Sequence, residues 1–277
     1  MNVLWGALVT IGLSAAAIAA MLLVRRRAPE GGYFADGDRA AGVFGVLATG
    51  FSVLLGFIVF LAFTSYDRSR TGAETEALTV VQQVETAQFF PARAAGELTG
   101  ELVCYGRSVV NDEWDRMRAG TLGDSLNPWG VELFRSLKTV EPKTASEQSA
   151  YDKWLDQTSA REEARSDRIH GAVGVIPTTL WIVLFLIAAV IFAFMLFFAD
   201  RGERAVVQGM LMGSVVVVMA ALLLLLRGLD QPFHEGVGGL EPVAMERSLR
   251  IVDEALGAVG ESAVSYTHLT LPTIYSV

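Results

Sequence analysis

The sequence predicts an all-α protein: four helices cross a membrane, and a helical extramembrane domain is inserted between the second and third. Three observations carry this. Four apolar runs, uncharged through their middles, are each close to the ~20 residues that span a bilayer core. The charged residues are concentrated between and after those runs. The stretch between the second and third runs has apolar residues at helical spacing, and no alternating segment that reads as a strand.

The first span runs from about Val3 to Val24, with Trp5 near one end at interfacial depth. Arg25, Arg26 and Arg27 stop it. Because that charge follows the apolar run, the segment reads as a retained anchor and not as a cleaved signal peptide. The second span covers about Ala40 to Phe63, after a connection broken by Pro29, Gly31, Gly32 and Gly37. It has a small-residue stripe (Gly45, Thr49, Ser52, Gly56) and a bulky stripe (Phe51, Leu54, Ile58, Leu61). Small stripes let membrane helices approach closely. The third span, about Ile176 to Phe198, carries Pro177 at its start, where the missing N–H costs nothing. The fourth, about Ala205 to Leu226, contains the packing pattern Gly209-x-x-x-Gly213.

The domain between spans two and three reads as amphipathic helices. Ala77/Leu78, Val81, Val84 and Gln88 step along one, and Pro91 separates it from the next. Leu98, Leu102, Tyr105, Val109 and Glu113 continue on one face, with Val110, Trp114 and Met117 alongside. Gly120, Gly123, Asn127 and Pro128 mark a loop. A short helix from Trp129 to Leu137 is expected to bury Trp129, Leu133, Phe134 and Leu137. Thr144-Ala-Ser-Glu147 has capping-box spacing and starts a helix to about Ile169, expected to bury Tyr151, Trp154, Leu155 and Thr158. The expected divisions are 1–64 and 176–227 for the spans, 65–175 for the domain and 228–263 for a C-terminal helical segment. Residues 264–277 resemble the translation of a sequencing-library adapter and are set aside as an artefact.

Composition excludes several functions. A net charge of −8 gives no basic field for nucleic acid. Cys104 is the lone cysteine, and His170, His234 and His268 lie far apart, so no metal-ligand spacing exists. No phosphate loop, dinucleotide-binding glycine motif, zinc-type histidine pair or serine elbow is present. The chain is therefore expected to be neither an enzyme nor a cofactor binder. The span middles lack Asp, Glu, Lys, Arg and His, which argues against a proton pump or ion-coupled transporter.

A channel needs none of those groups, because a hydrophobic constriction can gate by dewetting while charges at the mouths select ions. The candidate neck is Phe51, Leu54, Ile58 and Leu61; the bland reading is contact with lipid or neighbouring helices. The acidic residues Glu74, Glu76 and Glu85 either sit at a pore mouth or form a solvated helix face. Asn111-Asp-Glu-Trp114 mixes acids with a large aromatic and reads as a cation site or, in preference, as a capped, packed helix segment. Arg227 and Asp230 at the end of span four read as a salt bridge or as interfacial anchors. The positive-inside rule does not settle orientation. Arg25, Arg26, Arg27, Arg39, Arg201 and Arg204 on one side balance Arg68, Arg70, Arg161, Arg165, Arg168 and Arg227 on the other.

Four short motifs in a fixed order resemble the bacterial bestrophin-like family. They are the Tyr66-Asp67 exit from span two with Glu74 and Glu76-Ala77 beyond it; Tyr105-x-x-x-Val109-Val-Asn-Asp-Glu113-Trp114; Arg161, Arg165 and Arg168 leading into Ile176-Pro-x-x-Leu-Trp181; and Leu229-Asp230-Gln-Pro232-Phe233, followed by Pro242 and a helix from Met245 to Leu256. Bestrophins, to which that family is more distantly similar, are pentameric anion channels with a hydrophobic neck on the second membrane helix and a cytosolic helical domain. The resemblance therefore implies a homo-oligomer in a bacterial inner membrane that passes small ions through a span-two neck, with its large domain in the cytoplasm. No counterpart of the acidic calcium clasp of animal bestrophins is present. The rival reading is a non-conducting sensor or scaffold with a ligand-binding helical domain.

Overall fold

The computed structural model describes residues 3–29, 31–122 and 125–258, and among these every regular element is helical. Residues 259–263 of the expected C-terminal segment and the adapter-like stretch 264–277 lie outside the described residues. The helices are α1 (Val3–Arg25), α2 (Gly37–Ala87), α3 (Ala92–Ser108), α4 (Trp114–Arg118), α5 (Pro128–Leu137), α6 (Ala145–His170), α7 (Thr178–Leu196), α8 (Ala205–Asp230) and α9 (Val243–Ala258). A π-helical turn, Val109–Glu113, joins α3 to α4. Helices α1, α2, α7 and α8 are long and apolar enough to cross a membrane.

The chain divides into two units, Met1–Tyr66 with Gly174–Gly239, and Asp67–Val173 with Leu240–Val277. In the first, α1 lies along α8 at the glycine pair. A Cβ on Gly213 would stand 3.2 Å from Ser14 Oγ and Ile18 Cδ1, so glycine there sets how closely the helices approach. The small stripe of α2 is not used this way, since nothing lies within 4 Å of a Cβ built on Gly45 or Gly56. The core of this unit joins Phe51, Leu55, Ile58 and Ala62 of α2 to Leu184 and Ile191 of α7 and Leu226 of α8. Arg25 closes the far end by donating to the carbonyls of Asp200, Arg201 and Glu203.

The sequence predicts separate helices on either side of residue 64, but α2 is one continuous helix of 51 residues, about 76 Å long at 1.5 Å per residue. No proline interrupts it. Thr64 Oγ1 donates to the Phe60 carbonyl, and Arg70 pairs with Glu74 one turn on, so the polar stretch keeps its helical bonds.

In the second unit, Pro91 precedes α3 as expected and Thr144 forms a full capping box with Glu147. Two side-chain expectations are corrected. Phe134 is exposed because α5 buries the stripe Trp129, Leu133 and Leu137, and Phe134 falls about 100° round the helix from its middle. Leu155 is exposed because the inward stripe of α6 is Ala150, Trp154, Gln157, Arg161, Ala164 and Arg168. Leu78 is exposed while Glu76, Ala77, Val80, Gln83 and Val84 are buried. Gly72 lets α2 lie directly on α6: a Cβ there would stand 2.5 Å from the Arg168 nitrogen and 2.7 Å from the Ala164 carbonyl oxygen. Helix α9 packs on α3 at Gly106, beside Leu249 and Met245.

Candidate functional site

Span two, the membrane part of α2, has one packed and one open face. Phe51 and Ile58 are buried against Leu184, Ile191 and Leu226, and Leu54 is half-buried beside them. Of the four expected neck residues, only Leu61 is exposed. Within the protomer, Phe51 and Ile58 therefore serve as packing between α2, α7 and α8. The reverse face carries Val46, Val53, Phe57 and Phe60, all largely exposed and uncharged.

The second unit holds a buried charge network. Glu76 and Arg168 are both fully buried and joined by two bonds: Arg168 Nε donates to Glu76 Oε2, and Nη2 donates to Oε1 at 3.1 Å. The Tyr105 hydroxyl donates to the same Oε1. Arg168 Nη2 also reaches Glu113 Oε2 at 2.5 Å. Glu113 Oε1 accepts from Arg165 Nη2 at 2.7 Å and from Asn127 Nδ2 at 3.0 Å. Asn127 also accepts from the Trp129 N–H and so caps α5. Two carboxylates thus balance the guanidiniums of Arg165 and Arg168. Arg161, equally buried, stacks its guanidinium 4.8 Å from the Tyr105 ring centroid and donates to Gln83 Oε1 at 2.9 Å.

Local structure explains these positions. The π-turn shifts the helix register, so Glu113, Trp114 and Met117 all point inward. Burial alone would raise the Glu113 carboxyl, but Arg168 and Arg165 outweigh it and hold the pKa below the ordinary value. Burial and the neighbouring Glu76 push the Tyr105 phenol well up. Burial works to lower the Arg168 guanidinium, and Glu76 more than offsets it. Such a network holds helices in register.

The two acidic residues expected at a pore mouth differ in their surroundings. Glu76 is committed to Arg168 and Tyr105 and has no exposed surface. Glu74 stays exposed and shares its charge with Arg70. Among the described residues no three His, Cys, Asp or Glu side chains converge as metal ligands.

The Bestrophin-like domain family matches residues 11–244, most of the chain. The chain belongs to the Bestrophin-like family. No curated protein matches its sequence. Its fold is that of bacterial bestrophin homologues. An aspartate-to-alanine variant of the Klebsiella pneumoniae homologue aligns at a TM-score of 0.68 and 14% identity, covering 93% of this chain and all of that one. A second structure of the Klebsiella pneumoniae homologue aligns at 0.65 and 13%, covering 94% of this chain and 100% of that one. With its four apolar spans, this bestrophin-like chain is an integral membrane protein.

The motif residues of this bestrophin-like chain fall into two groups. Tyr105, Glu113 and Trp114 belong to the buried network, with the Trp114 indole N–H donating to the Leu240 carbonyl at 3.1 Å. Asp230, Pro232 and Phe233 are buried at the end of α8. Asp230 does not pair with Arg227. Its Oδ1 accepts from the N–H groups of Val175 and Ile176 at 2.8 and 2.9 Å, and Oδ2 accepts from the Trp181 indole at 3.3 Å. It thereby satisfies backbone donors at the entry to α7. The buried roles of Arg161, Arg165, Arg168, Gln83 and Asn127 escaped the sequence reading. The signal was present in α6, where Trp154, Gln157, Arg161, Ala164 and Arg168 recur at steps of three and four.

Proposed function

We propose that the chain assembles as a homo-oligomer, a pentamer by analogy with bestrophins, and forms an ion channel of the bacterial plasma membrane. Span two lines its axis, and the helical domain lies in the cytoplasm. The observation that carries this reading is the open face of span two: Val46, Val53, Phe57 and Phe60 are bulky, uncharged and turned away from the chain's own spans. A ring of such side chains makes a constriction that excludes water until it widens. These residues replace Phe51, Leu54 and Ile58 as the proposed lining, and Leu61 stays at the edge of the face. Anions are the proposed permeant species, on the resemblance to bestrophins. The burial of Glu76 and the pairing of Glu74 with Arg70 take away the acidic mouth that would have favoured cations.

The test is conductance of the purified protein in planar bilayers. Phe57→Ala is expected to raise the unitary conductance, and Ile58→Ala to leave it unchanged. The opposite pattern would sink the assigned face, and reversal potentials in a salt gradient read the sign of the permeant ion. A monomer or dimer in nanodiscs would leave no ring and favour the sensor or scaffold. The native Cys104 is buried, so Glu163→Cys on the exposed side of α6 adds a clean target for a membrane-impermeant thiol reagent. Labelling from the periplasmic side would contradict a cytoplasmic domain.

A further inference from the structure

The start of α1, the start of α7 and the end of α8 line a half-open cavity of about 520 Å³. Its walls are apolar: Val9 and Leu13 from α1, Phe185 from α7, and Leu223 from α8. Trp5 and Trp181 also line it, with Trp181 stacked on Phe185 at 5.7 Å between ring centroids. Spans one and three begin at this end and span four finishes there, so both indoles sit where tryptophan marks the membrane–water boundary.

One charged residue is among those that line the cavity, Arg227. Asp230, one turn away, is occupied by Val175, Ile176 and Trp181. No carboxylate among the described residues pairs with Arg227, and it donates no side-chain hydrogen bond there. The cavity is therefore an apolar trough edged by a cation that has no carboxylate partner among the described residues. Its volume lies within the range of small-ligand sites. An anion with a long apolar tail complements it in both charge and polarity.

We propose that this cavity binds an anionic phospholipid, with the phosphate on Arg227 and an acyl chain among Val9, Leu13, Phe185 and Leu223. The site is distinct from the open face of span two, and the proposal does not require that the protein conduct.

The chain's tryptophans supply the probe. Trp114, Trp129 and Trp154 are buried in the helical domain, so brominated acyl chains quench Trp5 and Trp181. The full-length protein is reconstituted in phosphatidylcholine vesicles with a minority of brominated phosphatidylglycerol, or with the same fraction of brominated phosphatidylcholine. Phosphatidylglycerol is expected to quench more strongly, corresponding to a local enrichment of roughly fivefold. The excess is expected to vanish in Arg227→Gln, to persist in Arg227→Lys and to shrink at high ionic strength. Equal quenching by the two lipids in the unmodified protein would overturn the proposal, as would an excess that survives Arg227→Gln. The comparison in the unmodified protein decides the matter even if a variant does not fold.

Discussion

Arg168 of α6 and Glu76 of α2 meet side-on with neither side chain exposed, and Glu113 grips the same guanidinium from the π-turn. An ion pair out of water is stable only while every partner is present. Arg168→Met would leave the Glu76 carboxylate in the interior without its cation and is expected to cost roughly 3–5 kcal/mol. The readout is thermal unfolding of the full-length protein in detergent. A melting temperature unchanged by Arg168→Met would show that the pair does not hold the domain together.

Gly72 makes that meeting possible. Gly72→Ala places a methyl against the α6 backbone and is expected to destabilise by about 1–3 kcal/mol. Gly96, also helical but with nothing within 4 Å of a Cβ, provides the contrast. There alanine is expected to stabilise by up to ~1 kcal/mol. Melting curves of the two variants should move in opposite directions.

Acid should loosen the same domain. Glu113 has a folded pKa below its ordinary value, so its contribution is present above the unfolded pKa and is lost as pH falls through the folded one. The melting temperature is expected to drop through the carboxylate range, and Glu113→Gln should flatten that limb. An equally steep limb in the variant would move the effect to other carboxylates.

The two faces of span two should separate in stability as well as in conductance. Ile58→Ala removes packing against Leu184 and Leu226 and is expected to cost about 2 kcal/mol. Phe57→Ala empties no site within its own chain and should leave the isolated protomer's melting unchanged.

Asp230 should act as a tether. Asp230→Ala leaves the N–H groups of Val175 and Ile176 without their acceptor, at a cost of about 1–2 kcal/mol. Asp230→Asn keeps a carbonyl oxygen there and should retain most of the stability. Identical melting of the two variants would show that the oxygen is not what matters.

Much of the architecture was legible because the bilayer imposes length and polarity residue by residue. Apolar runs near the bilayer thickness identify α1, α7 and α8 directly, and the capping box at Thr144 and the proline at 91 mark real helix starts. Side-chain facing was less legible. The stripe Phe51, Leu54, Ile58 and Leu61 has the right period, but periodicity does not say which neighbour a stripe meets. In lipid both faces of a helix are apolar, so no polar–apolar contrast points to the interior. In α6 the contrast misleads, because Arg161 and Arg168 are inside and Leu155 is outside.

By itself the sequence determined the helical class, the four spans and the lack of familiar catalytic motifs, since these follow from local composition and spacing. Only the tertiary structure decided that α2 runs unbroken through residue 64, that Glu76 is committed to Arg168, and that Asp230 serves backbone amides and does not pair with Arg227. The physical reason is that a charge in the interior takes its role from partners brought together by folding. Glu76 and Arg168 are 92 positions apart in the chain, and no local pattern records their pairing.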